Sequence, residues 1–144
     1  MHTRTIRHII EGQELLTALA STPVSEAAKW MQLRKVGAIL VVERERLVGI
    51  FTERDALFRV VAEDRDPSKT LLVEVMTKEP TVVNPDQSFS AALNLMHVGQ
   101  FRHVPVVENG RPIGIVSSRD AMGAELEDFM YSVILSGQAR DILA

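Results

Sequence analysis

Gly49-Ile50-Phe51-Thr52-Glu53-Arg54-Asp55-Ala56 is written again as Gly114-Ile115-Val116-Ser117-Ser118-Arg119-Asp120-Ala121, 65 positions later. Sliding the chain by that interval, without gaps, also pairs Ser25 with Ser90, Ala27 with Ala92, Met31 with Met96, Val41-Val42-Glu43 with Val106-Val107-Glu108, and Arg46 with Arg111. Of the 32 positions from 25 to 56, 12 are then identical, far above chance, so the chain is one unit written twice. Two copies of a small element can bury their apolar faces against each other and leave clefts at the seam, related by a pseudo-two-fold axis.

Each copy reads as the same series of elements. In the second, Thr81-Val82-Val83 reads as a short strand ended by Asn84-Pro85-Asp86, which also start the next element. A helix follows, with Phe89, Ala92, Leu93 and Met96 at the i, i+3, i+4, i+7 spacing; it runs to about Val98, and Gly99 is expected to end it. His103–Val107 and Pro112–Ser117 flank Glu108-Asn109-Gly110-Arg111, and Asn-Gly is the favoured type I′ hairpin turn. Ser117 then leads into an apolar-periodic helix through Met122. The first copy repeats the order: a helix over Val24–Arg34, strands Ala38–Val42 and Leu47–Phe51 around Arg44-Glu45, and a helix from Thr52 to about Ala62. The unit is β-α-β-β-α and the fold class α/β, of the α+β type. Glu63-Asp64-Arg65-Asp66-Pro67-Ser68 reads as a charged linker that the proline closes. The expected divisions are 1–66 for the first copy with its N-terminal segment and linker, 67–124 for the second, and 125–144 for a helical tail.

Composition narrows the function. With 144 residues, 46% apolar and 24% charged, the chain is of globular type. Its longest apolar run, Ala38–Val42, is far short of the roughly 20 residues of a membrane helix, and Met1-His2-Thr3-Arg4 opens no apolar leader, so a cytoplasmic place is expected. The absence of cysteine removes disulfides, thiolate catalysis and thiolate zinc sites together. A formal charge of −3 argues against general nucleic-acid binding while leaving room for a local basic pocket.

The element order, the hairpin and the doubled Gly-h-h-[Thr/Ser]-x-x-Asp (h, an apolar residue) closely resemble the CBS domain pair, or Bateman module, over about residues 6–123. Val75-Met76-Thr77 and Arg102-His103-Val104-Pro105-Val106-Val107 strengthen the resemblance, which is greatest to short stand-alone bacterial pairs with Thr-Glu-Arg-Asp in the first copy. The resemblance implies pseudo-two-fold packing of the copies, clefts for adenosine compounds (AMP, ADP, ATP, NAD or S-adenosylmethionine), no required cofactor, and a disc-shaped homodimer. It also implies composite sites. Thr52, Arg54 and Asp55 would face Thr77, Thr81, Arg102 and His103, while Ser117, Arg119 and Asp120 would face Gly37, Ala38 and the strand near Leu16-Thr17.

The residue types suit that chemistry. A glycine lets backbone approach a ligand, and a hydroxyl at a helix start sits where free N–H groups and the dipole favour phosphate. A carboxylate one turn on can accept both ribose hydroxyls, and Arg54 and Arg119 add positive charge beside it. The same spacing also fits a plain capping box, with no ligand at all. Gly37-Ala38 stands where the other copy has Arg102-His103, and Leu40 where it has Pro105, so the Asp120 site is expected to hold phosphate more weakly.

The remaining candidates are structural. His97 and His103 have no carboxylate at helical spacing to complete a zinc site. Met31, Met76, Met96, Met122 and Met130 read as core filling, and Glu43–Arg46 and Glu63–Asp66 as solvated turns. No Gly-rich phosphate loop, nucleophile elbow or His-Glu-x-x-His is present, so a sensor is expected rather than an enzyme. In the tail, Leu126, Phe129, Met130 and Val133 form a stripe that needs covering, by its own module, a dimer partner or an effector protein; Gly137 breaks it, leaving Gln138–Ala144 as a separate segment. Two rival functions stay open: a ligand-free dimerisation module that recruits a protein through the tail helix, and a hydrolase acting on nucleotides.

Overall fold

The computed structural model of the chain describes residues 4–135, and Gln138–Ala144 lie outside them. The chain opens on a short helix, α1 (Ile6–Ile10), and gathers into two compact units. The first contains Glu14–Thr81 with Glu108–Ile113; the second contains residues 4–13, Val82–Val107 and residues 114–135. The opening helix therefore clusters with the second repeat.

The first unit is a four-stranded sheet in the order β1 (Thr17–Leu19), β2 (Ala38–Glu43), β3 (Arg46–Thr52), β4 (Thr77–Lys78). β1 runs parallel to β2, the β2–β3 hairpin is antiparallel with Ala38 opposite Thr52, and β4 pairs antiparallel to β3 with Thr77 opposite Ile50. Between β1 and β2 runs α2 (Val24–Arg34), which buries Val24, Ala27 and Met31 on one stripe. Lys35 ends it in the left-handed region, where the Val36 N–H returns to the Met31 carbonyl and closes the last turn. Ile39, Val41 and Phe51 of the hairpin pack with that stripe and with Val60, Leu72, Val75 and Met76. Leu72 and Val75 lie on the single-turn helix α4 (Leu72–Val75), whose Glu74 carboxylate accepts from the Leu71 N–H.

After β3 the chain makes α3 (Glu53–Asp55) and widens at once into a π-helical segment, Ala56–Val61, that buries Val60. The charged stretch behind it is no free linker. The Pro67 carbonyl accepts from Ser25 N–H and the Thr70 carbonyl from Val24 N–H, so both groups satisfy the opening turn of α2, where Pro23 offers no side-chain cap.

In the second repeat, α5 (Phe89–Gly99) buries Phe89, Ala92, Leu93 and Met96, and β5 (His103–Glu108) pairs with β6 (Arg111–Ser117). Ser88, not the Asn84 region, caps α5 by accepting from Ala91 N–H. Gln100 takes the left-handed position at its end, equivalent to Lys35. Gly99 is the last helical residue, where any Cβ would strike the Phe101 ring. The expected strand Thr81–Val83 reduces to one parallel bridge from Val83 to Val106, in which Val83 N–H donates to the Pro105 carbonyl and the Val83 carbonyl accepts from Val107 N–H. The expected helix from Ser117 to Met122 is also interrupted: a 3-10 turn spans Ser118–Asp120, Ala121 is extended, and the chain restarts as α6 (Gly123–Leu135). Glu125 drives the restart by accepting from Met122 N–H at the new helix start.

Both hairpins turn through two left-handed residues, Arg44-Glu45 and Asn109-Gly110, as the type I′ geometry requires. The methionine reading holds for Met31, Met76 and Met96, which are buried, whereas Met122 is exposed. α6 packs along α5 with Val133 buried and the Phe129 ring edge-on to His97 at 5.6 Å, while Leu126 is exposed. His97 is thus an aromatic neighbour of α6.

The motif glycines are spaces for the protein's own chain. A Cβ on Gly49 would lie 2.5 Å from Met76 Sδ and 3.0 Å from the Thr77 carbonyl; on Gly114 it would lie 2.9 Å from three carbons of Ile10, including Cβ. Ligand approach is therefore not what these positions require. Gly49→Ala and Gly114→Ala are expected to lower stability by about 1–3 kcal/mol, with Gly114 costlier because the branched Ile10 carbon cannot swing aside. Gly123→Ala, which meets nothing within 4 Å, is expected to cost nothing in the same urea denaturation series.

Candidate functional site

β3 ends at Thr52 in extended conformation, and Asp55 folds back onto it. The Asp55 Oδ2 accepts from the Thr52 N–H (3.0 Å) and hydroxyl (3.1 Å), while Thr52 Oγ1 accepts from the Asp55 N–H (3.2 Å). This is a reciprocal capping box, so the structural alternative for these residues is realised. Asp55 is only 8% exposed. Its other oxygen, Oδ1, lies 3.5 Å from Arg59 Nε, and the same guanidinium donates through Nη1 to the carbonyls of Val75 (3.3 Å) and Met76 (3.0 Å).

Gly37 and Ala38 sit beside this motif within the same unit: the Gly37 carbonyl accepts from Glu53 N–H, and Ala38 is the β-partner of Thr52. Thr77 joins them at the next strand, half-buried opposite Ile50. Arg54 is exposed, with its guanidinium 5.4 Å above the Phe58 ring. Thr81 lies beyond β4, exposed and without a hydrogen bond among the described residues.

The second motif repeats the backbone plan. The Arg102 carbonyl accepts from Ser118 N–H as the Gly37 carbonyl does from Glu53, and Asp120 Oδ2 accepts from Ser117 N–H at 2.7 Å. The reciprocal half is weaker: the Ser117 hydroxyl stands 3.4 Å from Oδ2 and caps no backbone amide. Asp120 is half-buried, Arg102 and Arg119 are exposed, and His103 opens β5. Arg4 reaches this motif from the N-terminal segment. Its Nη2 donates to the Asp120 carbonyl at 2.6 Å and to Glu125 Oε1 at 2.7 Å, and its Nε donates to Glu125 Oε2 at 3.0 Å.

Glu125 is buried, and its carboxyl is held below the usual carboxylate range, chiefly by the hydrogen bond from Arg4 and against the opposing effect of burial. The Arg4 guanidinium is raised in turn. Arg59 stands four residues after Asp55, an ion-pair spacing that could have marked it. Arg4 and Glu125, 121 positions apart, left no local signal. No group of three or more His, Asp or Glu among the described residues could hold a metal ion.

The family model of the CBS domain matches residues 6–62 and 72–127. The chain is 41% identical over 114 residues to the CBS domain-containing protein CBSCBSPB2 of Arabidopsis thaliana, covering 78% of this chain and 21% of that one. It thus spans about a fifth of the length of the curated relatives it matches first. The CBS domain-containing protein YhcV of Bacillus subtilis is 37% identical over 107 residues, 74% of this chain and 76% of the relative. Among solved structures, the CBS domain pair of protein MJ0100, in complex with 5-methylthioadenosine and S-adenosyl-L-methionine, superposes with a TM-score of 0.73 at 26% identity, over 81% of this chain and 95% of that one.

The depressed Glu125 carboxyl fixes the sign of a pH effect. A group whose pKa is lower in the folded state stabilises above its unfolded value, about 4.3 for Glu, and loses that contribution as pH falls through the folded value. Glu125→Gln should therefore lower stability by about 2 kcal/mol at pH 7. The gap to the parent should narrow below about pH 4 in urea denaturation. A gap independent of pH would assign the loss to packing instead.

Proposed function

The chain belongs to the CBS domain family, and from that premise we propose that it is a regulatory module binding an adenosine compound of the AMP, ADP, ATP, NAD or S-adenosylmethionine class. The observation that carries the reading is the doubled motif: in both copies a carboxylate three residues past the strand end is bonded to that strand's last amide, at matching points of the two repeats. The MJ0100 pair, similar in fold and described in complex with two adenosine compounds, supports the ligand class. In this reading Asp55 and Asp120 accept ribose hydroxyls, Thr52 and Ser117 contact phosphate, and Arg54, Arg119, Arg102 and His103 supply positive charge and donors. Thr77, Thr81, Gly37 and Ala38 complete the contacts that the resemblance implies.

The module works in this reading as a non-catalytic sensor in the cytoplasm, paired as a homodimer and reporting to an effector protein. One repeat lies within 1–66, the other within 67–124, and the tail follows. The rival reading, an empty module that docks a partner through α6, draws on the realised capping box and on Ile134 and Leu135, both exposed on that helix.

Titration calorimetry with AMP, ADP, ATP, NAD and S-adenosylmethionine separates the two. Binding in the micromolar to millimolar range, about −8 to −4 kcal/mol, is expected for at least one ligand. At about 100 times its dissociation constant that ligand should add about 2.7 kcal/mol of stability, visible as a melting shift. No heat and no shift at millimolar concentration with any of the five would overturn the ligand reading in favour of the empty module.

A further inference from the structure

The two motif carboxylates are engaged differently. Asp55 has no unengaged oxygen: Oδ2 holds both the amide and the hydroxyl of Thr52, and Oδ1 faces Arg59. Arg59 is fixed in place although half its side chain is exposed, because the carbonyls of Val75 and Met76 hold Nη1 while Nε points at Asp55. A planar guanidinium with two anchored edges loses little freedom in keeping this pose. The second copy has no such residue, since the 65-residue shift from Arg59 lands on Ala124. Asp120 has only Oδ2 hydrogen-bonded; Oδ1 has no hydrogen bond among the described residues, and the nearby Arg4, whose charge also acts on the Asp120 carboxylate, gives its hydrogen bonds to the Asp120 carbonyl and to Glu125.

We propose that Arg59 is a specificity-determining residue that closes the first motif, so that an adenosine compound takes the Asp120 carboxylate first and reaches Asp55 only by displacing Arg59. The inference rests on the ligand reading above. A ribose diol needs two acceptor positions on one carboxylate. Asp120 can provide them by rearranging a single long hydroxyl contact, whereas Asp55 must give up a guanidinium that is also bound to two carbonyls. This reverses, for the ribose contact, the ranking that the basic residues Arg102 and His103 suggest for phosphate.

The test is calorimetry of the full chain with AMP and with S-adenosylmethionine, for the parent, Asp120→Asn, Asp55→Asn and Arg59→Met. Asp120→Asn should weaken the tightest binding event at least about tenfold, and Asp55→Asn by a smaller factor, about threefold. Arg59→Met, which keeps the apolar stem, should strengthen the weaker event or add a second one. Amide chemical shifts of the unmutated chain give an independent readout: residues 117–120 should move at lower ligand concentration than residues 52–55. If Asp55→Asn costs more than Asp120→Asn, if Arg59→Met weakens binding, or if residues 52–55 respond first, the ordering is overturned while the ligand reading stands. If the parent binds neither compound nor any other nucleotide tested, the ligand reading itself falls.

Discussion

At the end of each hairpin a carboxylate folds back onto the strand the chain has just left. Asp55 and Asp120 each take the N–H of the last strand residue, and one position further on the next N–H is taken by a carbonyl from the start of the same hairpin, Gly37 or Arg102. Together these bonds satisfy amides that a helix start leaves without partners, and they fix the angle at which the chain leaves the sheet. Without them neither motif would hold its hydroxyl, cation and carboxylate in one place. The glycine three residues earlier serves the same end. By omitting a Cβ it lets β4 in one copy, and Ile10 in the other, cross the strand closely enough to complete the support.

The copies share this frame and differ in what occupies it. In the first, the helix start passes into a π-helical segment that carries Arg59 back over Asp55. In the second, the chain stops after one 3-10 turn and begins again at Gly123, with Glu125 caught between its own helix start and Arg4. One cation is therefore spent on a carboxylate in the first unit and on a carbonyl and a distant glutamate in the second. The duplicated motif, read as letters, is nearly symmetric; read as charges with partners, it is not.

What could be read from the sequence was whatever repeats or is periodic. The 65-residue shift located both hairpins and both motifs, helical spacing placed α2 and α5 to within a residue or two, and Asn109-Gly110 named its turn. The family followed from these features. What could not be read depends on which remote group arrives. The role of Gly49 is decided by Met76 and Thr77, and that of Gly114 by Ile10. The need for glycine at position 99 is decided by the Phe101 ring, and the restart of the helix after Asp120 is capped by Glu125, which Arg4 holds. Arg44-Glu45 makes the turn of Asn109-Gly110 with residues that do not advertise it, because strand pairing on both sides imposes left-handed backbone that these side chains would not choose alone.

The grouping of residues 4–13 with the second repeat has a kinetic consequence. The first unit is almost continuous along the chain and can gather its core from local contacts soon after residue 81 has been synthesised. The second joins its opening helix to Pro85 and Gln87, about 80 positions on, and closes its Arg4–Glu125 pair only across 121 positions. Loop-closure entropy over that distance slows its completion, and Ile6 and Ile10, both buried at the end, are apolar surface in need of protection until then. Assembly is thus ordered by topology: the first unit gathers from local contacts, and the second is completed by contacts distant in sequence.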